Sequence, residues 1–423
     1  MATKFTNMRS IAKVYANALN LLTPEIDHHH QQVAYLSYNL ADTLGMGEEQ
    51  KYKIIIAALL HDIGIVIMPE RSKDDEKGYY TFKELVEPGL SLIGDMPRLK
   101  FVRDIFNAED MSYEDKASST AIEESGLFSE DVMASQIIDL SDKVSALLDP
   151  KAVALNQIED ICDTISDYAG EEILPEIIEG FLNLSEKEYI WFELLHQPEV
   201  FLNYIPDTNV VTLDEAIEYS KFMSRIIDFR SAYTTMHSAG VAASAVRLAE
   251  IMGMSEDECK QMMIAGYLHD VGKLKVPKAI LDKSGKLTDE EFNIVKEYAY
   301  YTYLLLSGIE GFEQISLWAS LHHEKLNGYG YPFRLSADDI PMGARIIAVA
   351  DIFSAVAEIR SYRAGMNKEE VIATLRENVD SGAMSGYIVE LMIANYDNIF
   401  EIRDKEARNE GARYYAAVVT AED

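Results

Sequence analysis

One spacing, used twice, constrains this chain more than any other feature. His29 and His61 stand 32 residues apart, and so do His237 and His269. Each second histidine is followed at once by an aspartate, Asp62 or Asp270, and two residues later by a glycine, Gly64 or Gly272. A further aspartate comes 80 residues on in the first half, Asp142, and 81 residues on in the second, Asp351. Flanking words repeat as well: Leu60-His61-Asp62-Ile63-Gly64 against Leu268-His269-Asp270-Val271-Gly272, and Ser145-Ala146 against Ser354-Ala355. Register kept over more than a hundred residues marks a duplicated fold. Each copy holds a His, His-Asp, Asp set that is useful only if folding gathers it. Such nitrogen and oxygen donors suit manganese, iron or zinc better than calcium.

Gln197-Pro198 and Pro206-Asp207-Thr208 interrupt the pattern between the copies, which predicts domains 1–205 and 206–423. Either half is long enough to bury its own core. Apolar residues recur at helical spacing, few segments alternate with period two, and the fold class is read as all-α. A short hairpin is expected in the Gly-Tyr-rich loops. Helices are predicted over Met8–Leu22, Asp27–Leu44, Glu48–Leu60, Tyr79–Leu92, Arg98–Asn107 and Val132–Leu147, with three shorter ones in Ala152–Leu195. In the second half they are expected over Met254–Leu268, Thr288–Leu306, Ala344–Ile359, Asn367–Leu375 and Gly386–Ile393, with a tail helix beyond Phe400. Thr212 followed by Glu215 reads as a capping box.

The chain carries 71 acidic and 38 basic residues, a formal charge of −33, so a long nucleic acid is excluded as a partner. A small anion would need a local basic pocket. The most apolar run, Ile54 to Met68, contains His61-Asp62 and is too short to span a bilayer. Two cysteines, Cys162 and Cys259, give no disulfide framework, and Thr3 to Ala18 does not read as a signal peptide. The expected location is the cytoplasm.

In the second half the quartet is embedded in further words: His269-Asp-Val-Gly-Lys273, His322-His-Glu324, Gly328-Tyr-Gly-Tyr-Pro332, Ile340-Pro341, Ala344-Arg345 and Arg360-Ser-Tyr-Arg363. In this order they resemble the HD superfamily of metal-dependent phosphohydrolases, and within it the HD-GYP domain of bacterial cyclic-dinucleotide phosphodiesterases. The resemblance implies two tandem HD-type helical domains: a degenerate, regulatory one over 1–205 and an HD-GYP phosphodiesterase over 206–423. It implies two divalent ions, iron or manganese, with zinc and nickel as alternatives. The first would take His237, His269, Asp270 and Asp351; the second would share Asp270 and take His322 and His323. Asp270 and Lys273 would be catalytic, and Lys273, Tyr331, Arg345 and Arg363 would hold substrate. That substrate would be a cyclic dinucleotide, cyclic di-GMP foremost, opened to a linear dinucleotide.

The chain also departs from the pattern. Where the family has a further metal-binding histidine, this sequence has Tyr298, and Tyr233 replaces an acid that some relatives use for a third ion. Asn327 and Phe333 replace the usual aspartate and glycine. The first half keeps His29, His61, Asp62 and Asp142 as candidates for one metal, but has Ile65 for the lysine and Asn107-Ala108 for the paired histidines. His28, His29 and His30 are not read as a cluster, because consecutive helical residues diverge by about 100°. Tyr298, Tyr300, Tyr301 and Tyr303 read as core or interface. Two alternatives stand beside the enzyme: a signalling module that binds metal or nucleotide and a protein partner, or another nucleotide phosphohydrolase. A second copy of the chain or a signalling protein are the candidate partners.

Overall fold

A computed structural model describes residues 4–22, 28–68, 80–94, 96–111, 114–115, 129–230, 236–283, 285–358 and 365–422. Among these residues helices dominate, as the sequence predicts, and one sheet of two short strands is present. None of the described helices is long and apolar enough to cross a membrane.

The chain divides into two compact units. The amino-terminal unit is Thr23–Asp207 with Thr420–Asp423, and the carboxyl-terminal unit is Met1–Leu22 with Thr208–Val419. The expected boundary of 1–205 and 206–423 is thereby corrected at its start, for the first 22 residues belong with the second repeat. Thr6 and Asn7 pair antiparallel with Val211 and Val210, and the helix Met8–Leu22 follows directly. The Tyr15 hydroxyl donates to the Tyr219 carbonyl at 2.8 Å, and the Phe5 ring lies 5.7 Å from Phe312. A strand of two residues offers no periodicity, so this pairing leaves no trace in the pattern.

The two units deliver their quartets in the same way. His29 and His237 open the helices His29–Thr43 and His237–Ile251. Helices Glu48–Leu60 and Glu256–Leu268 end on His61 and His269, whose φ values of −56° are still helical. Asp62 and Asp270 then turn into 3-10 segments, Ile63–Val66 and Val271–Lys275. Asp142 and Asp351 come from the helices Glu130–Leu147 and Met342–Ala357. Starts are fixed by capping boxes at Thr81, Thr212, Ser255, Thr288 and Asn367, each answered by a glutamate three residues on. Each such cap contributes about 1 kcal/mol. Helix Glu313–Ser320 has no counterpart in the sequence reading, since two turns are too few to set up a period. The hairpin expected in the Gly-Tyr loops is reduced to a single bridge between Asn327 and Ser336.

The glycine of each His-Asp word is required by crowding. A Cβ at Gly272 would lie 1.9 Å from the Tyr298 carbonyl oxygen and 2.7 Å from the Thr302 nitrogen, so helix Asp289–Leu306 rests on bare backbone. Gly64 stands the same way against Leu85 and Gly89 in helix Phe82–Ile93. Thr302 locks the contact, accepting from the Gly272 amide at 3.0 Å and donating to the His269 carbonyl at 3.1 Å. Replacing Gly272 with alanine is expected to destabilise the protein by about 3 kcal/mol or more, because rigid backbone cannot yield. Chemical denaturation checks this; an unchanged midpoint would mean that the helix is free to retreat.

Candidate metal centre

In the amino-terminal unit the four predicted residues meet. His29 Nε2 is 3.2 Å from His61 Nε2, 3.3 Å from Asp62 Oδ2 and 3.2 Å from Asp142 Oδ1. His61 Nε2 is 3.2 Å from Asp62 Oδ1 and 3.6 Å from Asp142 Oδ1. The outer nitrogens are engaged elsewhere: His61 Nδ1 donates to the Ala58 carbonyl at 2.7 Å, and His29 Nδ1 lies 2.9 Å from Ser145 Oγ. Ser145 in turn donates to Gln32, so its oxygen accepts from His29. Both Nε2 atoms therefore turn lone pairs toward the carboxylates. Burial opposes a charged imidazole, yet Asp142 and Asp62 outweigh it and raise the His29 pKa, and His61 rises further. The pocket asks for positive charge, which a divalent ion would supply.

His30 alters the expectation for the histidine triplet. Its ring is fully buried 5.5 Å from those of both His29 and His61, and neither nitrogen has a hydrogen-bond partner among the described residues. Burial depresses its pKa to about 3. His28 instead bonds to Gln31 at 2.6 Å.

In the carboxyl-terminal unit His237 Nε2 lies 3.0 Å from Asp351 Oδ1, and His269 Nε2 lies 3.2 Å from Asp270 Oδ2. His237, His269 and Asp351 offer ligand atoms within 4.8 Å of one another, as do His269, Asp270 and His322, and His322, His323 and Asp351. His269 Nδ1 donates to the Gly266 carbonyl at 2.8 Å, which turns its Nε2 lone pair inward. His269 Nε2 and Asp270 Oδ1 are buried without a hydrogen-bond partner among the described residues. Leaving such atoms unpaired is costly, so this donor set fits a divalent ion. Burial works against the His237 imidazolium, but Asp351 and Glu358 raise its pKa to about 9. Burial likewise opposes the Asp270 charge, and His269 and Lys273 hold its carboxyl well below the usual range.

Lys273 donates to Asp270 Oδ2 at 2.5 Å, and its ammonium lies 5.1 Å from the Tyr298 ring centre. The 3-10 turn brings it back over Asp270. Tyr298 is buried, with its hydroxyl 3.0 Å from His322 Nε2 and 2.5 Å from His323 Nε2. Burial, with His323 and His269, keeps His322 neutral, and burial lowers His323 to about 4. Tyr331 lies 4.7 Å from the His323 ring and reaches a groove of about 670 Å³ lined by Phe292, Lys296, Tyr300, Phe333 and Arg334. Tyr300, read from the sequence as core or interface, is 44% exposed on this groove.

Sequence reasoning missed what holds the loop. Glu324 accepts from the amides of Phe333, Arg334 and Leu335 at 2.7, 3.1 and 3.0 Å. Arg334 sits at φ 58°, a conformation uncommon outside glycine, within this carboxylate's grip. A Cβ at Gly330 would lie 2.4 Å from Glu324 Cα, so the loop needs glycine to fold back on the histidine pair. Arg345, expected on substrate, donates from Nε to the Ile340 carbonyl at 2.9 Å and from Nη2 to that of Ala337, which makes it a brace of its own loop. Arg363, Arg360 and Tyr233 lie outside the described residues.

Two family models, each described as an HD domain, match residues 26–147 and 221–384. The chain is 25% identical over 426 residues to the 3′3′-cGAMP-specific phosphodiesterase 1 of Vibrio cholerae, covering 96% of each protein. It is 38% identical over 155 residues to the cyclic di-GMP phosphodiesterase response regulator RpfG of Xanthomonas campestris pv. campestris, covering 36% of this chain and 41% of that one. A crystal structure of a cyclic GMP-AMP specific phosphodiesterase of V. cholerae matches with a TM-score of 0.61 at 21% identity, over 93% of this chain and 98% of that one. That last likeness is one of fold.

The protonated state of His237 has a consequence for metal uptake. An ion must displace its proton, so affinity for manganese is expected to rise about tenfold per pH unit between pH 6 and 8, flattening near pH 9. Metal titrations in a series of buffers check this; affinity flat across the range would mean that the nitrogen is already free.

Proposed function

Because the chain belongs to the HD-domain family, with two such domains in tandem, we propose that its carboxyl-terminal unit is a metal-dependent phosphodiesterase that opens a cyclic dinucleotide. The observation that carries this reading is a buried donor set, His237, His269, Asp270 and Asp351, close to an open groove with aromatic and basic walls. In the reaction a water oxygen forms a new P–O bond, one ester P–O bond breaks, and the departing ribose oxygen takes a proton. His237, His269, Asp270 and Asp351 would hold a divalent ion, which would supply Lewis acidity there. Iron or manganese suits the mixed nitrogen and oxygen donors.

The chain's own residues would do the rest. Lys273, held on Asp270, is the cation best placed for a phosphoryl oxygen. Tyr331, Tyr300 and Phe333 give faces on which bases can stack, while Lys296 and Arg334 give local positive charge in a chain that is acidic overall. Between the two cyclic dinucleotides, the likeness that spans both domains favours 3′3′-cyclic GMP-AMP over cyclic di-GMP. The amino-terminal unit keeps one quartet, lacks the lysine and the paired histidines, and is read as a regulatory domain that takes one ion without turnover. Two free cysteines, Cys162 and Cys259, accord with a cytoplasmic location.

A binding module without turnover is the second reading, and the engagement of His322 and His323 by Tyr298 favours it. Incubation of the manganese- or iron-loaded chain with both dinucleotides separates the two. The enzyme reading expects linear product from at least one, faster from 3′3′-cyclic GMP-AMP. Asp270→Ala is expected to lower kcat more than about 100-fold, beyond what removal of an outer partner of a metal ligand costs. Retention of both nucleotides with neither opened would contradict the enzyme and support the module.

A further inference from the structure

Tyr298 occupies the position where the resemblance places a histidine ligand of a second ion, and the geometry shows what it does there. His322 Nδ1 lies 2.6 Å from the Ala319 carbonyl oxygen. A carbonyl only accepts, so Nδ1 carries the ring proton and Nε2 presents a lone pair. The Tyr298 phenol, 3.0 Å away, has one proton and gives it to that lone pair. Toward His323, 2.5 Å away, the phenol oxygen must then accept, and His323 Nε2 is an N–H donor. Metal binding asks the opposite of both rings, a free lone pair at each Nε2.

The shared carboxylate is already engaged by a cation. Asp270 Oδ2, one of the two oxygens a bridging role would use, already accepts from Lys273 at 2.5 Å. The same oxygen lies 3.2 Å from His269 Nε2, while Asp270 Oδ1 has no hydrogen-bond partner among the described residues. Nor can Tyr298 swing away with its helix. Its carbonyl rests against Gly272, where even a methyl group would not fit, and Thr302 ties the next turn to His269 and Gly272.

We propose that the carboxyl-terminal unit is a one-ion centre in which the Tyr298 hydroxyl stands in for the second ion, with His322 and His323 pinned as its hydrogen-bonded pair. The Lys273 ammonium then supplies, on the same face, the positive charge that a second ion would have brought. Tyr298 is a positioning residue in this arrangement, and it sets the ion count. The inference rests on the metal-centre reading of the quartet and not on any substrate.

Metal content tests it. The full chain carrying Asp62→Ala, which cripples the amino-terminal quartet, is stripped with chelator, reloaded with Mn(II) or Fe(II), freed of excess and analysed for bound metal. One equivalent is expected, rising to two when Tyr298→His is added. Two equivalents with Tyr298 in place would overturn the inference, as would one equivalent in a folded Tyr298→His variant. Should that variant fail to fold, the count with Tyr298 in place decides alone. A visible tyrosinate-to-iron absorption in the air-oxidised, iron-loaded protein, lost in Tyr298→Phe, would overturn it by making Tyr298 a ligand. No bound metal at all would instead refute the quartet itself.

Discussion

Inward-facing imidazole lone pairs, packed against carboxylates where water has little access, are the constraint on which this architecture turns. In the amino-terminal unit two Nε2 atoms approach to 3.2 Å, and the opposite nitrogen of each ring is already bonded to Ala58 or Ser145. Like partial charges at that separation repel. The same unit brings Asp62 and Asp142 into the gap, and buried carboxylates without a counter-charge cost several kcal/mol each. Only a cation, a proton or a metal, reconciles the four. The carboxyl-terminal unit repeats the problem with His269, whose Nδ1 is committed to Gly266.

The helices are arranged to create that problem and then to use it. A helix that ends on histidine, an aspartate that turns the chain into a 3-10 segment, and a glycine that lets another helix lie on bare backbone recur in both units. What differs is the surrounding chemistry. The carboxyl-terminal unit adds Lys273, the histidine pair with Tyr298, and a loop that Glu324 holds through three amides beside an aromatic groove. In the amino-terminal unit Ile65 and Asn107-Ala108 fill the corresponding positions. Both copies thus keep the cage, and the carboxyl-terminal one sets a lysine, a histidine pair and an open groove beside it.

Both quartets were legible because spacing, residue type and repetition pointed the same way, and most helices were legible because caps and apolar period agreed. Helix Glu48–Leu60 has the ends the sequence predicts, and Thr212 caps as expected. Other features depend on contacts that no local pattern encodes. Helix Met8–Leu22 and the strand before it join the second repeat through a two-residue pairing, one tyrosine hydroxyl and ring contacts of Phe5 and Tyr15. Arg345 looks like a phosphate ligand by type, yet its Nε and Nη2 donate to carbonyls of its own loop. His30 sits one residue from His29, and its ring still lies 5.5 Å from that of His61. That Tyr298 departs from the family pattern was visible; that its hydroxyl reaches both histidines at once was not.

The central claim is that cations organise these cages, and diffraction from the metal-loaded chain at the metal's absorption edge tests it most directly. The account predicts an anomalous peak in the carboxyl-terminal unit at coordination distance from Nε2 of His237 and His269 and from oxygens of Asp270 and Asp351. Density for metal only on exposed carboxylates, with none at those four side chains, would contradict it.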